Sequence, residues 1–270
     1  MTSDLFSAVP VSPPLSFPSR LLRGLRAAAH VFRGIFVPKQ LRKNDLPSSP
    51  DPLADWCRDL LSLLGVDLTL HGEQKTAVTG PFLLVSNHIS WMDICLIRAL
   101  FPVRFIAKEE IALWPVVGPS ARNAGTLFIG RHRLSSFREI LSGVRDSMEE
   151  HISVAVFPEG TTTTGDTLLP FRTGIFDVCA KTGRPVLPVS IRYENSRKTS
   201  LATVSYTGGE SFARSFWRTL GESRITARVH IGSPVFPEGA NRKELAQQSW
   251  ERVRDGLLTP PVPVSEKESH

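Results

Sequence analysis

The chain has 270 residues, 41% of them hydrophobic, and its 32 Lys and Arg exceed 26 Asp and Glu to give a net charge of +6. That length holds one large domain, or one domain with a small appendage, around an ordinary globular core. With no apolar run of about eighteen residues no membrane-spanning helix is predicted. The scattered Cys57, Cys95 and Cys179 form no Cys-x-x-Cys, which argues against a disulfide framework or a metal site and for a reducing compartment. The charge excess leaves nucleic acid, an anionic membrane and an anionic substrate open as partners.

Residues 1–19 contain four prolines and several serines. They lack the basic start and apolar run of a signal peptide and are expected to be disordered. Arg20 to Val37 has the period of an amphipathic helix, with Leu21, Leu25, Ala28, Phe32, Ile35 and Phe36 on one arc and Arg20, Arg23, Arg26 and Arg33 on the other. No acidic residue falls between Asp4 and Asp45, and Lys39, Arg42 and Lys43 follow. A basic amphipathic helix of this kind suits the surface of an anionic membrane; it equally suits a solvated surface helix. Because the basic residues cluster on this helix, with no interleaved aromatic–basic motif, nucleic acid is not the expected partner. Asn44 to Pro52 is rich in proline and serine and predicts a loop. A second helix follows, with Trp56, Leu60, Leu63 and Leu64 on one face and Gly65 as its stop, and then a half-buried strand, Val66 to Leu70.

The central stretch runs from Phe82 to Asp93. Phe82 to Val85 predicts a buried strand, and Ser90 with Asp93 three residues on predicts a helix start of the capping-box kind. His88 then lies in the turn at the sheet edge, and Asp93 in the first helical turn behind it. On one continuous helix two side chains five residues apart would point about 140° apart. They meet only if His88 precedes the helix, as the strand–turn–helix pattern provides. Imidazole exchanges a proton near neutral pH, and a carboxylate on its far nitrogen fixes its tautomer and orientation. The plainer alternative is a capping Asp93 beside an ordinary loop histidine.

From there strands and helices alternate. Strands are expected at Val103–Ala107, Thr126–Ile129, Ser153–Phe157, Val186–Arg192, Leu201–Tyr206 and Ile225–Ile231, with helices at Ser90–Leu100, Ser135–Glu150, Arg172–Lys181 and Glu210–Leu220. A last helix, Arg242–Leu257, has Asn241 and Glu244 as its capping pair. The pattern predicts an α/β fold with a mostly parallel sheet flanked by helices, preceded by an N-terminal amphipathic two-helix unit. In such sheets functional residues gather at the carboxyl ends of strands.

Three further stretches sit at strand ends or starts. Gly125 to Arg131 places an arginine, with its planar donors for phosphate or carboxylate, after a strand. Phe157-Pro158-Glu159-Gly160-Thr161 closes another strand, its glycine permitting a tight turn or close substrate approach, and Thr161 to Thr164 follow as donors. Arg184 to Val189 opens a strand and supplies an apolar wall. Each has a bland reading as a surface arginine, a polar turn or an edge.

In this order and spacing, His88 and Asp93, Gly125 to Arg131, Phe157 to Thr161 and Val186 to Val189 resemble the four motifs of the glycerolipid acyltransferases, most closely those acting on 1-acylglycerol 3-phosphate. The resemblance covers roughly residues 80–235. It implies an acyltransferase domain at 76–258 behind a membrane-docking helix pair and first strand at 20–75, with flexible residues 259–270. It implies direct transfer of a fatty acyl group from a thioester of acyl carrier protein or coenzyme A, as co-substrate and with no cofactor or metal, to the sn-2 hydroxyl of 1-acyl-sn-glycerol 3-phosphate, giving phosphatidic acid. His88 would be the general base and Asp93 its orienting partner. No G-x-S-x-G elbow supplies a nucleophile. Gly125, Phe128, Arg131, Glu159, Gly160 and Thr161 would form the acceptor site, with Lys108 and Arg172 as further phosphate contacts. One departure stands out: many members carry arginine directly after Glu-Gly-Thr, where this chain has Thr162. Lyso-ornithine lipid is therefore the alternative acceptor. A non-catalytic membrane lipid-binding protein is the alternative of another class. The expected location is the cytoplasmic face of the inner membrane.

Overall fold

The computed structural model describes residues 13–34, 51–72, 78–114, 117–130, 134–195 and 202–259. Seven strands form one sheet: β1 (Val66–Gly72), β2 (Leu83–Ser86), β3 (Val103–Lys108), β4 (Leu127–Ile129), β5 (Ser153–Val156), β6 (Val186–Glu194) and β7 (Ile225–Ile231). Their order is β1-β7-β6-β2-β5-β3-β4. All neighbours are parallel except β6 and β7, which run antiparallel. The α/β class and the largely parallel sheet follow the alternation in the sequence.

The alternation of side chains along the central strands builds two cores. Leu84, Phe105, Ala155, Leu187, Val189 and Ile191 face one layer, and Leu83, Val85, Val154 and Val186 face the other. The first layer is α1 (Phe17–Arg33), α2 (Pro52–Leu63), α3 (Met92–Leu100) and α7 (Phe212–Thr219), which contribute Ala27, Leu60, Met92 and Leu96 among others. The second is α5 (Leu134–Glu149), α6 (Asp177–Thr182) and α8 (Arg242–Leu258), with Val144, Val178 and Leu245. Each wholly buried leucine stabilises the fold by about 1.5–3 kcal/mol, so β2, walled by apolar side chains on both faces, is held firmly at the sheet's centre.

Several boundaries differ from expectation. The strand expected at Leu201–Tyr206 is not found among the described residues: Ala202–Val204 is a 3-10 turn, and Leu201 lies outside them. The Tyr206 N–H bonds the Ile89 carbonyl, so this segment is tied to the loop before α3 rather than to a strand. The helix expected at Arg172–Lys181 divides into a 3-10 turn, Thr173–Phe176, and α6, which Gly183 stops at φ +71°. A 3-10 turn at Glu109–Leu113 and α4 (Val117–Asn123) were not anticipated. The capping box of α8 forms as expected, the Asn241 side chain accepting from Glu244 N and Glu244 from Asn241 N.

Phe17, Leu21, Leu22, Leu25 and Phe32 of α1 point outward, while Arg23 turns inward onto the carbonyls of Leu64 and Glu222. The end of that helix at Val37 and the basic residues Lys39, Arg42 and Lys43 lie outside the described residues. His30 and Trp56 stack at 5.3 Å and exchange side-chain to main-chain hydrogen bonds, joining α1 to α2. Asp51 caps α2 through the Ala54 N–H and is gripped bidentately by buried Arg98 of α3, at 2.7 and 2.8 Å.

Burial raises the tendency of Asp51 to hold its proton. The Arg98 hydrogen bonds and charge, with the N–H groups of Ala54 and Leu53, outweigh this and hold its carboxyl below the usual range. A lowered carboxyl contributes stability that is full above the unfolded value near pH ~4 and is lost as pH falls through the folded value. Asp51→Asn is expected to cost about 2 kcal/mol at neutral pH, less than breaking a wholly enclosed pair, because Asp51 keeps 30% exposure. Melting temperatures should show this gap closing below pH ~4.

Candidate active site

The chain leaves β2 at Ser86, and the next side chain, Asn87, acts as an extra strand residue. Its amide donates to the Ile191 carbonyl at 2.9 Å and accepts from the Ile191 N–H at 2.8 Å. That closure sets His88 at the carboxyl end of β2, one residue beyond the sheet. The His88 main chain is held on both sides, its N–H by Glu159 Oε1 at 2.7 Å and its carbonyl by the Thr163 N–H at 2.8 Å. Its ring lies flat on Phe157, centroids 3.9 Å apart and planes within 8°.

Helix α3 starts at Met92, so His88 precedes it and the five-residue spacing closes as the sequence required. His88 Nδ1 lies 2.7 Å from Asp93 Oδ2. A carboxylate only accepts, so the proton sits on Nδ1 and Nε2 keeps its lone pair. Among the described residues Nε2 has no hydrogen-bond partner, and the side chain remains 19% exposed. Asp93 is wholly buried and takes three more hydrogen bonds, from Ile89 N and Ser90 N on Oδ2 and from the Tyr193 hydroxyl on Oδ1 at 2.6 Å. Half of the expected capping box is therefore present. Asp93 reaches back to Ser90 N, while the Ser90 hydroxyl meets only Met92 N at 3.4 Å.

Glu159, expected at the acceptor site, is buried with both oxygens turned to main-chain donors, His88 N and Leu169 N. Burial raises its carboxyl above the ordinary value, with these two N–H groups opposing that rise. Gly160 has φ +74°, and a Cβ there would come within 2.6 Å of the Arg172 guanidinium, which folds over it. Arg172 is exposed, and its side chain makes no hydrogen bond or ion pair among the described residues. Thr161 is exposed, and Thr162 donates its hydroxyl to the Tyr206 carbonyl.

The remaining expected residues lie along the β3–β4 edge. Lys108 is exposed at the end of β3. Gly125 takes φ +73° beside the Arg104 side chain, ahead of β4. Phe128 pairs with Ala107 in mid-β4, so alternation puts it on the face of Phe105 and Phe157. Arg131 lies outside the described residues. Sequence reasoning missed Asn87 and Tyr193. The alternation Val189, Ile191, Tyr193 carried a signal, since a tyrosine ending an apolar face brings a hydroxyl that needs a partner.

An imidazole with a free, accessible nitrogen and a buried carboxylate behind it can take a proton from an alcohol. The acyltransferase family profile matches residues 67–192. A lyso-ornithine lipid O-acyltransferase of Pseudomonas aeruginosa is 32% identical over 209 residues, 77% of this chain and 79% of that one. A 1-acyl-sn-glycerol-3-phosphate acyltransferase of Neisseria meningitidis is 33% identical over 217 residues, 79% of this chain and 83% of that one. This chain belongs to the acyltransferase family. The crystal structure of the 1-acyl-sn-glycerophosphate acyltransferase of Thermotoga maritima superposes with a TM-score of 0.64 at 25% identity, over 88% of this chain and 96% of that one. The chain is thus an acyltransferase enzyme of lipid biosynthesis with the fold of that relative.

Glu159→Gln tests the link between loop and ring. An amide offers one accepting oxygen, so one of the two main-chain N–H groups loses its partner, at about 1–2 kcal/mol of stability. Thermal unfolding measures that loss, and acyl transfer should fall with it.

Proposed function

We propose that this acyltransferase moves a fatty acyl group from an acyl thioester, of acyl carrier protein or coenzyme A, to the sn-2 hydroxyl of 1-acyl-sn-glycerol 3-phosphate, giving phosphatidic acid. The observation that carries the reading is the 2.7 Å contact of His88 Nδ1 with Asp93, which leaves Nε2 free. Nε2 takes the hydroxyl proton as the oxygen attacks the thioester carbonyl. The tetrahedral adduct collapses, the C–S bond breaks, and the imidazolium returns the proton to the departing thiolate. Asp93 stabilises the imidazolium while it exists.

An anionic acceptor group needs a cation, and Thr162 supplies none. Arg172 supports the phosphate reading, since its side chain is exposed, unpaired among the described residues and folded over Gly160 beside the His88 loop. Lys108, Gly125, Phe128, Arg131 and Thr161 remain proposed acceptor contacts. The second reading, lyso-ornithine lipid as acceptor, is favoured by the Thr162 hydroxyl being engaged by Tyr206 where many family members have arginine. The relatives' names include both acceptors.

The enzyme would work from the surface of an anionic membrane. Among the described residues no helix is long and apolar enough to cross one. The outward apolar residues of α1 run on to Trp217 of α7, whose ring meets Phe17 at 5.9 Å and lies under Arg20. An apolar strip rimmed by arginines fits lipid chains below anionic head groups. The proposed location is the cytoplasmic face of the membrane, held there as a peripheral or monotopic protein.

His88→Ala should lower transfer by about a thousandfold or more; transfer at the parent rate would end the mechanism. In an acceptor panel with both thioester donors, lysophosphatidic acid should be fastest and Arg172→Ala should raise its KM about tenfold. A faster lyso-ornithine lipid would decide for the second reading. Leu22→Glu with Leu25→Glu should abolish sedimentation with anionic vesicles while sparing turnover of a dispersed short-chain acceptor.

A further inference from the structure

The hydrogen bonding of Asp93 extends beyond the His88 pair. Oδ2 carries three donors, whereas Oδ1 receives one among the described residues, the Tyr193 hydroxyl at 2.6 Å. Tyr193 is a hundred residues away in the chain, near the end of β6, and is 2% exposed. Burial, then the Asp93 charge, push its phenol well above the usual range, so it remains a donor. The titratable groups facing this assembly are Asp93 and Cys95 of α3, Glu159 after β5, His88 and Tyr193 itself.

We propose that Tyr193 is a positioning residue of the acyl-transfer site, acting through Asp93 to set the orientation and proton affinity of the His88 ring. The hydroxyl does two things. It fixes the rotation of the carboxyl group, because without it Oδ1 would be a buried acceptor with no partner. It also draws negative charge toward Oδ1 and away from the oxygen facing the ring. Donation to one oxygen of a carboxylate thus sets how strongly the other stabilises an imidazolium. A phenylalanine would fill the same core volume and supply neither effect, which separates this role from packing.

The proposal rests on His88 as base, so its test needs a readout free of any substrate. The proton on His88 Nδ1, shared with Asp93, gives a low-field NMR resonance assignable by its loss in His88→Ala. In Tyr193→Phe that resonance should move, and the acid limb of kcat/KM should shift to higher pH by about half a unit to one unit, with kcat down about tenfold. The protein contains two tyrosines. In a Tyr206→Phe background, 3-fluorotyrosine therefore places a more acidic, stronger donor at position 193 alone, and resonance and limb should move the opposite way. This second variant keeps the native hydroxyl and answers the question if Tyr193→Phe folds poorly. A resonance unmoved by either change overturns the proposal. A resonance that moves while no lysolipid is acylated keeps the proposal and overturns the acceptor reading instead.

Discussion

The arrangement depends on one buried carboxylate. Asp93 sits in an apolar core, where a polar group left without partners costs about 2–7 kcal/mol, and both its oxygens are occupied. The donors come from separate parts of the chain: the His88 ring, the loop leading into α3, and β6. Satisfying Asp93 therefore requires the strand–turn–helix and the β2–β6 pairing to form together. Asn87 reinforces the same pairing by bonding Ile191 on both of its main-chain groups. Fold and site share one set of constraints here, and the ring that faces solvent is positioned by groups that do not.

The local part of this was legible in the sequence. The apolar run of β2, the turn and the helix start lie within about a dozen residues, and the His88–Asp93 geometry follows from their order. Long-range partners were not. Tyr193 reaches Asp93 because β6 pairs with β2, and no local pattern states that neighbour relation. The Leu201–Tyr206 segment reads as a strand by its side chains, yet Ala202–Val204 folds as a 3-10 turn and Tyr206 bonds the loop before α3. On α1 the periodicity picked out the apolar arc, and that arc is turned outward in the structure.

The loop after β5 shows the same limit. In sequence the Glu-Gly-Thr turn is followed by Thr162, which carries no charge. In space Arg172 folds over Gly160 and brings a cation to the turn from a dozen residues downstream. The glycine makes this possible twice over, through its left-handed φ of +74° and through the absence of a Cβ. In the proposed acceptor site this cation is the group that would tell apart two lysolipids with different anionic groups.

The union of the N-terminal helices with α3 has a geometric result. Stacking joins α1 to α2, and the Arg98–Asp51 fork joins α2 to the helix that carries Asp93. If α1 rests among lipid chains, the imidazole is carried at a fixed height above them. An alcohol is then selected by its depth in the leaflet as well as by its charge, and a hydroxyl one bond nearer the water or the chain ends lies off level with the base.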